Sequence, residues 1–300
     1  MSASFANALA AAHEAAGSQN HPASTLYVVA TPIGNLADIS LRALHVLARV
    51  DVVACEDTRH TQQLLRAYGL DRPGSQLLAV HQHNEAEAAH NVLERLGQGQ
   101  RVAYLSDAGT PAISDPGARL VAAVRQAGFR VMPLPGASSV TTALSASGMT
   151  GDHGFVFAGF LPSKATERQM AVQHLAQESR AVVLLEAPHR IEALAQALAV
   201  LGKRPITLGR ELTKQFEQIE TLPAQDLSAW LAEKPERLRG EFVLVLHDAP
   251  VDDATGEGLR VLQLLLPELP LKTAVKLAAE ISGESKNTLY EQALALKNQG

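Results

Sequence analysis

The sequence predicts an α/β protein made of two consecutive α/β domains followed by a small helical module. Three observations lead there: apolar runs too continuous to alternate, helical periodicity after each run, and a glycine-rich interruption after which the rhythm restarts. The first strand-like runs are "LYVVAT" (26–31), "DVVACE" (51–56), "LLAV" (77–80), "RVAYLS" (101–106) and "RVMPL" (130–134). Helical patterns occupy 39–49, 59–68, 85–96, 117–127 and 137–147 between and after them. Runs apolar on both faces, each followed by a helix, indicate strands buried in a mostly parallel sheet.

The stretch "SASGMTGDHG" (145–154) carries three glycines and marks a boundary. Beyond it come "GFVFAGF" (154–160), "AVVLLEA" (181–187), "PITLGRELT" (205–213) and "EFVLVLHD" (241–248), with helical segments at 164–178, 188–201 and 225–234. The connection 214–222 is strand-like, so the second sheet is expected to be mixed. The division is a loose, partly helical leader (1–24), domains at 25–148 and 149–250, and a tail at 256–300. In the tail, Ala274, Leu277, Ala278 and Ile281 precede Gly283, and Leu289, Ala293 and Leu296 follow it, a helix-turn-helix pattern. Within 269–297, lysines 272, 276, 286 and 297 exceed glutamates 280, 284 and 291 by a single charge. That module is read as docking on RNA or on a partner subunit.

A hydrophobic fraction of 46% is ample for packed cores, and 31 acidic against 26 basic residues leave a net charge of −5. Such a chain does not coat nucleic acid non-specifically, although a local basic groove is compatible with it. The single cysteine, Cys55, excludes an internal disulfide or a cysteine-cluster zinc site and reads as a buried strand residue. No stretch approaches ~20 apolar residues, so no membrane span is expected. The leader has no Lys or Arg, unlike a secretory or transit peptide, and a cytoplasmic location is expected.

In open parallel sheets, ligands bind outside the carboxyl ends of the strands. Three loops leave strands there: "TPIGN" (31–35), "SDAGTPAISDPG" (106–117) and "PLPGASS" (133–139). Their Gly, Pro and Ser let backbone approach a ligand closely and expose amide donors. Neither glycine-rich phosphate signature occurs at these strand ends. Carboxylates at Asp107 and Asp115, with hydroxyls at Ser106, Thr110, Ser138 and Ser139, suit a ligand with cationic and polar ends. A turn or cap role would equally explain Asp107.

The segments "VATPIGNLADIS", "ACEDTR", "LSDAGTPAISDPG", "LPGASS", "FAGFLP", "EAPHR" and "GRELTK", in that order, resemble the tetrapyrrole methylase superfamily. More narrowly they resemble its RNA branch, the ribosomal RNA small-subunit methyltransferase I family. The similarity runs from about residue 25 to the C-terminus. A first loop reading "TPIGN" and a second reading "SDAGTP" depart from tetrapyrrole-acting members and fit the RNA branch.

The resemblance implies two α/β domains with S-adenosylmethionine (SAM) in the cleft between them, and 2′-O-methylation of a cytidine in the decoding region of 16S rRNA. It implies cofactor contacts at Ile33 and Gly34, at Asp107, Ala108, Gly109 and Thr110, and at Ser138 and Ser139. In the second domain it implies contacts around Leu185, Gly209 and Glu241. It also implies a homodimer, with 16S rRNA or the small ribosomal subunit as partner. The rival readings are C-methylation of a tetrapyrrole and a non-catalytic RNA-binding relative.

For the acceptor, "CEDTR" (55–59) again leaves a strand. Glu56 or Asp57 is positioned to act as base and Arg59 to hold an RNA phosphate. Asp57 or Thr58 capping the next helix, with Glu56 paired to Arg59, is the structural alternative. Lys164, His189, Arg190, Arg210 and Lys214 lie at strand exits of the second domain and are candidates for an electropositive wall. His81, His83 and Glu85 in "VHQHNE" are read as a polar rim beside a helix start rather than as metal ligands, and no metal is expected.

Overall fold

A computed structural model describes residues 5, 7–81, 84–113, 117–151, 154–249 and 257–297. Strands β1 (Thr25–Val29), β2 (Val52–Cys55), β3 (Leu77–Ala79), β4 (Arg101–Leu105) and β5 (Arg130–Leu134) form a parallel sheet ordered β3-β2-β4-β1-β5. Helices α1 (Ala8–Ala16), α2 (Leu41–Arg49), α3 (Thr58–Ala67), α4 (Glu85–Gly97), α5 (Gly117–Gln126) and α6 (Ser139–Ala146) accompany it. Strand β1 shows why its run is apolar throughout. Leu26 and Val28 pack with Val92, Leu96 and Leu120, whereas Tyr27 and Val29 pack with Val46, Leu47 and Leu65 on the other face. Because β4, β1 and β5 are neighbours, the loops leaving them emerge side by side.

Strands β6 (Phe155–Gly159), β7 (Ala181–Glu186), β8 (Pro205–Arg210), β9 (Gln218–Pro223) and β10 (Phe242–Leu246) form a second sheet ordered β6-β7-β10-β8-β9. It is mixed: β6 and β7 are parallel, and the remaining pairs are antiparallel. One face buries Leu184, Leu208 and Leu244 against helices α7 (Ala165–Gln177), α8 (Ile191–Leu198) and α9 (Leu227–Ala232). The other face buries Val183, Val243 and Val245 against Ala143, Val140 and Leu144 of α6. That contact joins the two sheets into one body.

The described residues of the tail hold α10 (Glu257–Leu265), α11 (Leu271–Ser282) and α12 (Lys286–Lys297), the last two being the pair that the helix-turn-helix spacing indicates, with a core of Leu262, Ala274, Ala278, Leu289 and Ala293. Gly283 ends α11 in the left-handed conformation (φ +76°), which glycine adopts without a Cβ penalty. Val275 and Ala279 join the buried stripe, while Ile281 in the last turn is 61% exposed.

The leader differs from the loose extension its composition indicates. Ala12 on α1 packs with Leu44 and Tyr68, and the Phe5 ring meets Tyr68 edge-on at 5.1 Å. Buried His45 on α2 lies 5.6 Å from the His13 ring and 5.0 Å from the His21 ring. Burial holds His45 and His21 below the ordinary imidazole value of 6.5. Repulsion within the His cluster and from Arg49 acts on His45 in the same sense, as do Arg49, Arg42 and Arg101 on His21. A depressed imidazole pKa means that the unfolded chain binds protons more readily, so stability is complete above 6.5 and declines as pH falls below it. Melting temperature measured from pH 7.5 to about 5.5 should fall, and His45→Phe should flatten that slope. A slope unchanged by His45→Phe would show that His45 does not contribute to it.

Candidate active site

The loops at the carboxyl rim of the first sheet are sewn together by hydrogen bonds. Thr31 N donates to Gly109 O at 2.9 Å and Gly109 N returns a bond to Thr31 O at 3.1 Å, an isolated antiparallel bridge between the β1 and β4 exits. Thr110 Oγ1 donates to Ala137 O at 3.1 Å, adding the β5 exit. Asp107 Oδ1 accepts from Asp57 N at 3.2 Å, adding the β2 exit. Asp57 in turn caps α3, accepting from Arg59 N at 2.7 Å and His60 N at 3.3 Å, and these bonds hold its carboxyl below the usual range. Gly109 is left-handed (φ +80°), and a Cβ there would lie 3.3 Å from Ile33 Cγ2. Only glycine makes that crossing without strain.

Between this rim and the second sheet lies a cavity of about 470 Å³. Ile33, Glu56, Ser106, Asp107, Ala108, Gly109, Thr110, Ile113, Ser138, Ser139 and Val140 line it from the first domain. Phe157, Phe160, Leu185, Glu186, Ala187, Pro188, Leu212, Glu241, Phe242 and Val243 line it from the second. Apolar walls with a few convergent polar groups and backbone amides are the usual make-up of a small-molecule site.

Most of the expected cofactor positions therefore meet here, together with Glu56. Gly34 and Gly209 do not line the cavity. The Lys214 stem crosses Gly34, where a Cβ would come within 2.4 Å of Lys214 Cγ. Gly209 lies within β8, paired with Val243 and Ile219, and a Cβ there would press on Leu212. At both positions an added Cβ would meet the Lys214 or Leu212 side chain.

The expected basic wall divides. Arg210 is 7% exposed and turned inward, its Nε donating to Arg239 O at 2.7 Å and its Nη1 to Phe216 O at 3.2 Å. Lys214 Nζ bridges Glu211 at 2.8 Å and Glu241 at 2.9 Å. Burial works against both charges, but the contact between them outweighs it, aided by the Glu241 carboxylate on Lys214 and the Glu241 amide on Glu211. The ammonium pKa rises and that of Glu211 falls. Arg190 pairs with Glu186 at 3.1 Å and donates to Leu161 O. Arg210, Lys214 and Arg190 are thus occupied within the fold. Arg59, Lys164 and His189 are exposed, Lys164 pairing with Glu167 at 3.0 Å, and none of the three lines the cavity.

Asn84 is the N-cap residue of α4 but makes no side-chain cap bond. Its side chain accepts from His81 N at 2.8 Å and donates to Ala79 O at 3.0 Å, fastening the connecting loop. Glu85 pairs with Arg119 at 2.7 Å. His83 and Asp115 lie outside the described residues. Among the described residues no group of His, Cys, Asp and Glu has metal-holding geometry.

Sequence reasoning missed Phe157, Phe160, Glu186, Leu212 and Phe242 as cavity residues. The motifs "FAGFLP" and "EAPHR" hold three of them, but periodicity alone does not tell which strand ends face the first domain.

The family model for tetrapyrrole (corrin/porphyrin) methylases matches residues 25–228. The chain belongs to the tetrapyrrole methylase family. Residues 252–297 of this methylase match a second model, the RsmI C-terminal HTH domain. The methylase is 49% identical over 278 residues to the ribosomal RNA small subunit methyltransferase I of Pseudomonas aeruginosa, covering 91% of this chain and 97% of that one. With the protein of the same name from Haemophilus influenzae it shares 48% over 276 residues, covering 90% and 96%. Among solved structures, a diphthine synthase superimposes with a TM-score of 0.55 at 15% identity, covering 74% of this chain and 90% of that one. Uroporphyrin-III-C-methyltransferase from Thermus thermophilus gives 0.52 at 22%, covering 75% and 94%. These last two share the fold.

The Thr31–Gly109 crossing yields a direct test. Gly109→Val places a branched side chain in a left-handed conformation against Ile33 and should cost at least ~1–2 kcal/mol in urea unfolding. An unchanged midpoint would contradict the crossing as described.

Proposed function

We propose that this methylase transfers a methyl group from SAM to the ribose 2′-oxygen of a cytidine in the decoding region of 16S rRNA, acting in the cytoplasm as a homodimer. The observation that carries the reading is near-50% identity along almost the whole chain, tail included, to proteins named ribosomal RNA small subunit methyltransferase I. C-methylation of a tetrapyrrole would leave the helical tail without a role.

The cavity chemistry fits SAM. Ile33, Val140, Leu185 and Leu212 offer apolar walls for the adenosyl group, while Asp107 and Glu241 offer carboxylates for its cationic parts. Backbone from Ala108 to Thr110 and the hydroxyls of Ser138 and Ser139 complete the polar set. Bound there, SAM supplies a methyl group on a sulfonium that leaves as a neutral thioether. The protein's task is then mainly alignment, an entropic one that the fixed loops perform by holding the donor in one pose. Glu56, which lines the same cavity, would take the 2′-hydroxyl proton as charge develops. Arg59 and Lys164 supply surface cations and His189 an exposed imidazole for RNA phosphates, and two subunits together would concentrate them on an otherwise acidic protein.

Incubation with methyl-labelled SAM and small ribosomal subunits, naked 16S rRNA or uroporphyrinogen should label RNA and leave the porphyrinogen unlabelled. Label in the porphyrinogen, or in nothing, overturns the reading. Glu56→Gln should lower kcat by about 10²–10⁴-fold with SAM affinity preserved. Full turnover in that variant would remove Glu56 as base.

A further inference from the structure

We propose that Phe160 and Ile113 form a clamp for the nucleobase of the target nucleotide, on opposite walls of the cavity. The proposal rests on the RNA methyltransferase reading and adds a base-binding subsite to it.

Both side chains line the cavity, Ile113 from the first domain and Phe160 from the second. Both are large and apolar yet half exposed, at 52% and 53%. Unlike the other exposed large apolar side chains among the described residues, these two line the cavity, so they offer open apolar surface to whatever occupies it.

Each follows a residue in the left-handed conformation. Strand β6 loses register with β7 between Phe157 and Gly159, and Gly159 is left-handed (φ +64°) immediately before Phe160. Bulges of this kind re-aim side chains beside active sites. Across the cleft, Ala112 is left-handed (φ +65°) immediately before Ile113. An alanine in that conformation is strained, and such strain gathers at ligand clamps.

Phe160 is also held firmly. The next residue, Leu161, is buried at 7% exposure, and its carbonyl accepts from Arg190 Nη2. Arg190 is itself paired with Glu186, whose side chain is wholly buried. An exposed aromatic on a braced backbone can stack with little loss of conformational freedom. Nucleobases splayed from single-stranded RNA are commonly taken on aromatic faces. Stacking the base between Phe160 and the branched Ile113 would fix the attached ribose and so the 2′-oxygen. Arg190, drawn as a phosphate contact by the sequence, acts here as a positioning residue for Phe160.

Stacking on one aromatic ring accounts for roughly 5- to 150-fold in affinity when removed to alanine. Phe160→Ala should therefore lower kcat/KM for small ribosomal subunits by at least about 5-fold, with SAM affinity by calorimetry within about 2-fold of wild type. Phe160→Trp should restore most of the rate. With Trp230 the one native tryptophan, the fluorescence added by Phe160→Trp should be quenched when subunits bind. Wild-type activity on subunits together with undiminished kcat/KM in Phe160→Ala overturns the clamp alone, as does an unquenched Phe160→Trp. A wild-type protein that labels no RNA overturns the underlying reading, and the clamp with it.

Discussion

The bridge between Thr31 and Gly109 is the constraint on which the cleft depends. Two backbone hydrogen bonds, made outside any regular strand, tie the exits of two neighbouring parallel strands. Without them the loop after β4 would be a long surface segment, free to sample many conformations at an entropic cost to any ligand. With them, and with Thr110 reaching Ala137 and Asp107 reaching the Asp57 amide, four strand exits become one polar floor. A left-handed glycine is the means, because a Cβ at that position would be strained and would lie 3.3 Å from Ile33 Cγ2.

The second sheet supplies the opposing wall. Its inner face buries Val183, Val243 and Val245 against α6, the helix that begins at the third loop. The contact that joins the domains and the loop that offers Ser138 and Ser139 are thus parts of one element. Rigidity at the interface passes directly to the site. The ion pairs nearby work in the same way: Lys214 gathers Glu211 and Glu241 while its stem lies across Gly34, linking the first loop to the second domain.

Much of this was legible in the sequence where the signal is local. The run "RVMPL" coincides with β5, and three Gly-, Pro- and Ser-rich loops leaving neighbouring strands pointed to the rim that the cavity occupies. What escaped is non-local. The alanine-rich leader has no strong apolar stripe of its own, so its docking on Leu44 and Tyr68 depends on residues dozens of positions away. Arg210 reads as a surface cation, yet its acceptors at Phe216 and Arg239 face it only after β8, β9 and β10 assemble. The closeness of the Leu212 side chain to Gly209 and of the Lys214 stem to Gly34 is likewise something no spacing rule reveals. Phe160 lies in "FAGFLP", but its place in the cavity wall follows a register shift in the pairing of β6 with β7 that the sequence does not display.

The most direct test of the preorganised cleft is a crystal structure grown with S-adenosylhomocysteine. The ligand is expected between the two sheets, against Ile33, the backbone of Ala108 to Thr110 and Leu185, with the Thr31–Gly109 bonds intact. Density for it outside this cleft, or a Gly109 backbone swung away from Thr31 to admit it, would contradict a floor set in place before the donor arrives.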